Sequence, residues 1–269
     1  MGVDHPKTIP AESQHYNLKT IKNGEAQSLA TIRGEEFNIY NIQMLPDEQI
    51  LLICPRSYYS SPDDFEKNGR IYSLDGKLKK EILLGDGIQD VQATKSGTIW
   101  TSFFDEGIFG NYGWRNPIGA SGLIAFDVNG KILYEFEPVS GLDHMVDCYA
   151  INVPSDHETW CYYYTDFPIV KIRDRKIEDF WHSPVTGAGA FSIYNDLVLF
   201  VGSYDNKAEF QIVKLLENHK SKIICKINLT DEKGNPLEPE RVAARSSHVL
   251  VISGTRVYKI DLQDIAAQL

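Results

Sequence analysis

Acidic side chains recur beside aromatic residues at corresponding places along this chain. Asp105, Asp166 and Asp205 each end an aromatic stretch, in SFFDEG, YYTDFP and GSYDNK. Asp90 and Asp147 begin alternating apolar stretches, IQDVQA and MVDCYA. Carboxylates act as general acids and bases, accept hydrogen bonds in turns and attract cationic partners. These five residues are therefore the first candidates for chemistry or binding.

Strand patterns must position these carboxylates. Alternating apolar residues followed by a polar turn are found in GRIYSLDGK, SGLIAFDVNGK, FPIVKIRDRK, EFQIVKLLENHK and TRVYKIDLQD. The pattern returns about every 40–50 residues, which is the period of a propeller blade. We predict an all-β fold, a β-propeller of four-stranded antiparallel blades, with five blades preferred and six as the alternative.

The two ends of the chain suggest how such a ring closes. The last repeat offers strand patterns only at 241–245, 249–253 and 257–262, and further strand patterns lie at 16–22 and 28–33. We predict that an N-terminal strand completes the last blade, which removes an exposed sheet edge. Six blades would result if residues 16–33 formed a degenerate extra blade. No linker divides the chain, so one domain is predicted over 1–269, with 1–14 as an irregular arm.

Two elements of the second repeat are also found in known propellers. Gly97-Thr98-Ile99-Trp100 is a Gly-x-Ile-Trp element, and residues 123–132 follow the pattern Leu-x-x-Phe-Asp-x-x-Gly-x-Ile. In these elements the chain resembles the streptogramin-lyase-like and NHL-like propellers, most sharply over residues 86–136. The resemblance implies a fold and no activity, because propellers host enzymes and binding platforms alike. The catalytic histidine pair of the lyases and the metal set of the lactonases have no counterpart in this sequence.

In a four-stranded blade, the loop before the innermost strand and the loop between strands two and three open on one face. This places the five carboxylates around one mouth of the central channel, together with Asp143 and His144. Aromatic residues interleave with them: Tyr58, Tyr59, Phe103, Phe104, Tyr163, Tyr164 and Tyr204.

Three interpretations of this acidic mouth stay open. The aspartates cap turns by accepting backbone N–H groups, or the mouth binds a cationic or hydroxyl-rich partner. The third is a carboxylate enzyme, in which one residue acts as the acid and another as base or nucleophile. The catalytic candidates are then Asp90, Asp105, Glu106, Asp147 and Asp166.

The most unusual stretch is residues 104–117, a long loop rich in glycine and aromatic residues. Long loops in compact domains are usually functional or flexible. Either Phe109 and Trp114 fold back to plug the channel or cap the sheet, or Trp114 stacks on a ligand that neighbouring charges orient. The predicted binding residues are Asp105, Glu106, Phe109, Tyr112, Trp114, Arg115, Asp143, His144, Asp166 and Asp205.

The charge balance excludes some partners. A formal net charge of -10 and a pI of about 5.2 argue against nonspecific binding to nucleic acid or anionic membrane. The N-terminal residues lack the apolar segment of a signal peptide, and no apolar run is long enough to span a bilayer. We therefore expect a cytoplasmic protein.

Neither a metal site nor a cofactor is predicted. Asp63, Asp64 and Glu66 offer oxygen ligands for Ca²⁺, but their spacing fits no defined calcium loop, so a solvated acidic turn is favoured and Ca²⁺ in this loop or the channel is the alternative. If residues 153–156 form a hairpin loop, Cys148 lies opposite Cys161. A disulfide is then conceivable, and two reduced core thiols are favoured.

Together these features favour an intracellular binding propeller that presents an acidic, aromatic-rich mouth to a basic protein partner. An immunity or inhibitor protein that covers a cationic toxin or enzyme is one concrete form. The alternative is a hydrolase or lyase that acts on a glycan or small polar substrate through the carboxylates of the mouth.

Overall fold

The computed structural model describes residues 13–22, 24–231 and 233–269. It divides into two compact units, residues 1–136 and 137–269, which are described separately below. None of the helices in the described part of the chain has the length and hydrophobicity that crossing a membrane requires.

The N-terminal unit is built from short antiparallel strands. They are β1 (Gln14–Lys22), β2 (Glu25–Glu35), β3 (Asn41–Leu45), β4 (Gln49–Ile53), β5 (Tyr59–Ser61), β6 (Asp64–Phe65), β7 (Gly69–Ser73), β8 (Leu78–Ile82), β9 (Ile88–Ala93), β10 (Ile99–Phe103), β11 (Leu123–Phe126) and β12 (Ile132–Glu135). Two four-stranded sheets, β3-β4-β7-β8 and β9-β10-β11-β12, are accompanied by the pairs β1-β2 and β5-β6. Helix α1 (Asp105–Phe109) and a 3-10 turn (Ile118–Ser121) connect β10 to β11.

The C-terminal unit repeats the same plan. Its strands are β13 (Asp147–Asn152), β14 (Glu158–Tyr164), β15 (Pro168–Arg173), β16 (Lys176–His182), β17 (Ala190–Tyr194), β18 (Leu197–Val201), β19 (Phe210–Leu215), β20 (Ser221–Ile227), β21 (Arg241–Arg245), β22 (His248–Ser253) and β23 (Arg256–Asp261). They form sheets β13–β16, β17–β20 and β21–β23 in chain order. Helix α2 (Leu262–Ala266) follows, with Asp261 Oδ1 accepting the N–H of Gln263 at 3.1 Å as its N-terminal cap.

Strand β18 shows why the middle strands are continuously apolar. All five of its residues are buried. Val198 and Phe200 pack with the core shared by sheets β13–β16 and β17–β20, whereas Leu199 and Val201 pack with the core shared with β21–β23. Because side chains alternate between the faces of a strand, a strand between two packed sheets needs apolar residues at every position.

The predicted fold class is confirmed: the protein is an all-β propeller built from antiparallel blades. Five sheets of the blade type are found in the described chain, two in the N-terminal unit and three in the C-terminal unit, and four of these have four strands. The preferred count of five blades agrees with this. The prediction of a single domain over 1–269 stays a prediction, and most of the predicted arm, residues 1–12, lies outside the described residues.

The prediction that an N-terminal strand completes the last blade is wrong. Strands β1 and β2 pair with each other, and the last sheet has three strands in the described chain. The hairpin instead packs its Leu18 and Ile32 against Ile50, Leu52 and Tyr72 of the first four-stranded sheet. Pairing within the hairpin satisfies the backbone groups of each strand that face the other strand, so neither strand pairs with the last blade.

The predicted register of the cysteines is also wrong. Cys161 lies opposite Ile151, because Asn152 pairs with Trp160 and the strands therefore close over a longer connection than residues 153–156. Cys148 is therefore not the cross-strand partner of Cys161. All four cysteines are free thiols in the structure.

A buried carboxylate fixes the end of β2 to the first four-stranded sheet. Glu35 is fully buried, and its Oε1 accepts the N–H groups of Glu36 at 2.9 Å and Phe37 at 3.0 Å. Its Oε2 accepts hydrogen bonds from Arg70 Nε at 3.3 Å and from the Tyr72 hydroxyl. Burial and the Glu35 carboxylate raise the pKa of Tyr72, which keeps this hydroxyl a donor.

Replacement of Glu35 tests this anchor. Within the described chain, Glu35→Ala leaves the exposed Glu81 as the ion-pair partner of Arg70 and orphans two N–H groups, so we expect a loss of about 3 kcal/mol in the free energy of unfolding. Denaturant unfolding measures the loss. The exposed neighbour Glu36→Ala is the control and should change stability by less than about 0.5 kcal/mol. Equal effects of the two substitutions would contradict the role given to Glu35.

Candidate functional site

Arg56 organises the long loop of the N-terminal unit. Its guanidinium pairs with both oxygens of buried Asp86, at 2.9 and 3.0 Å, and with Glu106 Oε2 at 2.5 Å. It also lies 4.0 Å from the ring centroid of Tyr112, a cation–π contact. Because Arg56 is only 3% exposed, these contacts attach helix α1 and the following loop to the segment after β4. We call this set of residues the Arg56 network.

The carboxylates of this network have opposed pKa shifts. Burial raises the pKa of Asp86, although the N–H of Ser57 and the Arg56 guanidinium act against this. The hydrogen bond from Arg56 lowers the pKa of Glu106. Both carboxylates form ion pairs with the Arg56 guanidinium, so the arrangement is typical of structural ion pairing.

Trp114 also faces the interior of this loop. It is 9% exposed, and its Nε1 donates to the carbonyl oxygen of Ser57 at 2.8 Å. Its ring lies 4.7 Å from that of Tyr59. The loop is tightly packed, since a Cβ on Gly87 (φ 72°) would lie 2.3 Å from the Cα of Gly107. Of the two interpretations of Trp114, this geometry favours the one in which it folds back.

The other predicted loop residues are at the surface. Phe109 is 66% exposed, and Asp105 and Arg115 are also exposed. Asp105 Oδ1 accepts the N–H of Glu106 at 2.7 Å, a local turn interaction. Tyr112 is half-buried over Arg56.

Asp90 is a different kind of carboxylate. It is half-buried on β9, and its oxygens accept hydrogen bonds from the N–H of Val91 at 2.8 Å and from Gln92 Nε2 at 3.3 Å. Burial raises its pKa to about 6, and the two hydrogen bonds only partly oppose this shift. Asp90 therefore changes protonation state at mildly acidic pH.

The C-terminal unit groups its aromatic residues around Phe167. Its ring centroid lies 5.6 Å from those of Tyr149, Tyr164 and Tyr204, and 5.4 Å from that of Tyr162. We call these five residues the tyrosine cluster. Phe167 is buried in left-handed backbone (φ 51°), which is strained for a bulky residue, and the packing of its ring offsets this cost.

Part of the tyrosine cluster faces solvent. Tyr164 is 41% exposed and Tyr204 is 52% exposed, whereas Tyr162 is fully buried and its hydroxyl donates to Val185 O at 2.8 Å. The hydroxyls of Tyr149 and Tyr204 hydrogen bond to each other. The exposed rings are thus held by a rigid base, which is the arrangement expected of anchors at a protein interface.

Carboxylates flank this cluster in the sequence. Asp166 precedes Phe167, Asp205 follows Tyr204, and both are exposed. Neither forms an ion pair within the described part of the chain. Asp147 lies on β13. Burial, the hydrogen bond with the Tyr204 hydroxyl and the negative charge of Asp147 all raise the pKa of Tyr149.

Asp143 and His144 are exposed on the segment before β13, and the carbonyl oxygen of Asp143 accepts a hydrogen bond from the Tyr163 hydroxyl at 2.8 Å.

Within each unit the structure groups some of the predicted residues: Glu106 with Tyr112, and Asp166 and Asp205 beside the exposed tyrosines. Among the residues that the structure describes, neither Asp105 nor Arg115 forms an ion pair, and Phe109 lies at the surface. Nowhere in the described chain do three His, Cys, Asp or Glu side chains converge as a metal site would require. Glu66 Oε2, proposed above for Ca²⁺, accepts the N–H of Tyr58 at 2.8 Å.

The sequence analysis missed three residues that organise these surfaces. Arg56 and Asp86 lie 30 positions apart, so nothing in the sequence indicated their pairing. The Arg in the apolar run LLICPRS was the available signal, because a buried cation requires a carboxylate partner. Tyr149 was visible only as one alternating residue of β13.

Comparison with known proteins agrees with this architecture. The blade sheets described above define the protein as a β-propeller. The sequence profile of the YxzG family matches residues 123–260, just over half of the chain, and the chain belongs to this family. No curated protein matches the sequence.

Two solved structures are similar to the chain. The WD40 β-propeller domain of Doa1 has 12% identity and a TM-score of 0.49, and a chain of the mitotic checkpoint complex has 6% identity and a TM-score of 0.53. Each match covers 87% of this chain and 66% of the other, so the chain spans just under two thirds of their length. At 6% identity, the likeness to the chain of the mitotic checkpoint complex shows the fold alone. The narrower resemblance to streptogramin-lyase-like and NHL-like propellers stays a prediction.

The raised pKa of Asp90 predicts a pH-dependent stability. The folded protein binds this proton more tightly than the unfolded chain, so stability falls as the pH rises from about 4 to about 6 and is then constant. Asp90→Asn removes this cost and keeps an oxygen acceptor. We expect it to raise the free energy of unfolding at pH 8 by about 1–3 kcal/mol and to flatten this part of the pH profile.

Thermal unfolding from pH 4 to pH 8 measures the effect. The control is Asp105→Asn, since Asp105 is exposed and should leave the profile unchanged. A profile for Asp90→Asn that parallels the wild type would contradict the shift.

Proposed function

We propose that the protein is a binding propeller whose tyrosine cluster receives a basic protein partner. The observation that carries this proposal is the pair of exposed rings, Tyr164 and Tyr204, held on a buried aromatic base. Aromatic side chains with few rotatable bonds lose little entropy on binding and are enriched among interface anchors.

Charge supports the basic character of the partner. Asp166 and Asp205 lie beside the anchors without an ion-pair partner in the described chain, and the net charge of -10 extends the negative field. Tyrosine faces also attract Arg and Lys side chains. A basic surface would therefore gain both steering and contact energy here, whereas nucleic acid and anionic membrane would be repelled.

An immunity or inhibitor protein is the form of this function that we favour. A toxin or enzyme that acts on polyanionic substrates has a cationic surface, and an acidic propeller face with aromatic anchors would cover it. We place this binding in the cytoplasm, in line with the expectation from the sequence.

A hydrolase or lyase on a glycan or small polar substrate is the alternative. Asp90 favours it, because a carboxylic acid with a pKa near 6 can donate a proton close to neutral pH. Such chemistry needs a second carboxylate. Glu106 is paired with Arg56, and Asp105 is engaged in its own turn, so neither resembles that partner.

Partner binding tests the proposal. The purified protein captures its partner from lysate of the source cells at low salt, and the affinity of the purified pair is then measured by calorimetry. We expect Tyr204→Ala to weaken binding about 10- to 30-fold, because an interface anchor contributes roughly 2 kcal/mol. Asp166→Asn with Asp205→Asn should mainly slow association and reduce its salt dependence.

Tyr40→Ala is the matched control, since Tyr40 is 51% exposed and lies in the N-terminal unit. It should leave the affinity unchanged. The proposal fails if the captured protein is acidic, or if Tyr204→Ala and Tyr40→Ala bind it equally well.

A further inference from the structure

A second concave surface of the C-terminal unit lies away from the tyrosine cluster. It is a groove of about 690 Å³ that runs between β14–β16 and the turns that follow β17 and β19. Consecutive turns of an antiparallel sheet lie at opposite ends of its strands. The connections that carry the tyrosine cluster follow β14 and β18, so the groove opens at the other end. We call it the tryptophan groove; the lining residues used below are Trp160, Trp181, Lys171, Lys214, Asp179, Asp196 and Glu217.

The base of the groove is aromatic and fixed. The rings of Trp160 and Trp181 are stacked, with centroids 5.7 Å apart and planes 23° from parallel. Trp181 Nε1 donates to Leu216 O at 2.9 Å, and Trp160 Nε1 donates to Glu158 Oε1 at 2.8 Å. Trp160 is buried, whereas Trp181 is half-buried. Because both indole N–H groups already have acceptors, Trp181 offers a ligand apolar ring surface.

The sides of the groove carry charges of both signs, from Lys171 and Lys214 and from Asp179, Asp196 and Glu217. Lys214 Nζ lies 3.3 Å from Asp196 Oδ2, and Lys171 Nζ lies 2.7 Å from Glu178 Oε2. Asp179 Oδ1 lies 3.2 Å from His219 Nδ1. An ammonium has three donors and a carboxylate has about four acceptor positions, so each pair keeps capacity for further hydrogen bonds.

This mixture of charges disfavours a charged ligand of either sign. A cation would meet Lys171 and Lys214. An anion would meet Asp179, Asp196 and Glu217. A neutral hydroxyl donates to one member of a pair and accepts from the other, and so leaves the ion pair in place. The volume of the groove lies within the range of small-molecule sites.

We propose that the tryptophan groove binds a neutral sugar. The apolar face of the sugar ring packs on Trp181, and its hydroxyls bridge the Lys214–Asp196 pair. This site is separate from the tyrosine cluster and does not depend on the function proposed above.

Saturation-transfer NMR on the full chain tests the proposal, with glucose, galactose, maltose, lactose, cellobiose and diacetylchitobiose as probes at millimolar concentration. At least one neutral sugar should give a saturable signal, and its affinity follows from titration. We expect Lys214→Met with Asp196→Asn to weaken that affinity about tenfold, because two charge-assisted hydrogen bonds are lost. Trp181→Phe keeps an aromatic ring of smaller area and should weaken it by several-fold.

Two controls make the result decisive. Lys207→Met removes an exposed lysine from the connection after β18, at the other end of the strands, and should leave sugar binding unchanged. Glucosamine and glucose 6-phosphate should bind more weakly than the corresponding neutral sugar, since each adds a net charge. The proposal is overturned if no neutral sugar gives a signal, if the double variant binds as the wild type does, or if a charged analogue binds more tightly.

Discussion

The geometry of the antiparallel sheet governs where this protein places its polar groups. Consecutive turns fall at opposite ends of the strands. The connections after β14 and β18 therefore lie at one end of the strands, and those after β17 and β19 lie at the other end. The interior strands, such as β18, are buried on both faces and leave no room for polar chemistry. Aromatic and charged residues are therefore grouped at the two ends of the strands. In the C-terminal unit the tyrosine cluster lies at one end and the tryptophan groove at the other.

The two units use comparable connections in contrasting ways. In the N-terminal unit the connection after β10 carries glycines and aromatic residues, but Arg56 and the carbonyl of Ser57 draw it inward and leave Trp114 buried. In the C-terminal unit the connection after β14 is short, and Phe167 packs beneath it. Tyr164 and Tyr204 remain exposed there.

The strands were predictable because alternating or continuous apolar runs bounded by turns are a local property of the sequence, as in sheets β9–β12, β13–β16 and β17–β20. The partner of β1 was missed although Asn23-Gly24 is a strong hairpin signal; Gly24 has the positive φ (81°) that such turns need. The register of Cys148 depended on the length of the connection between β13 and β14, which closes between Asn152 and Trp160 and which no residue type indicates. Phe167 could not be recognised as the centre of a cluster, since its four neighbours come from three separate segments. Long-range pairing of this kind depends on packing and not on local pattern.

The unequal burial of the four cysteines has a practical consequence for spectroscopy. Cys54, Cys148 and Cys161 are buried, and burial raises the pKa of the Cys54 thiol to about 12 and that of Cys161 further still. Thiolates are the reactive form, so alkylating reagents act slowly on these three. Cys225, half-exposed on β20, is then a natural single attachment point for a fluorophore or spin label, and the native chain can report its own motions without engineered cysteines.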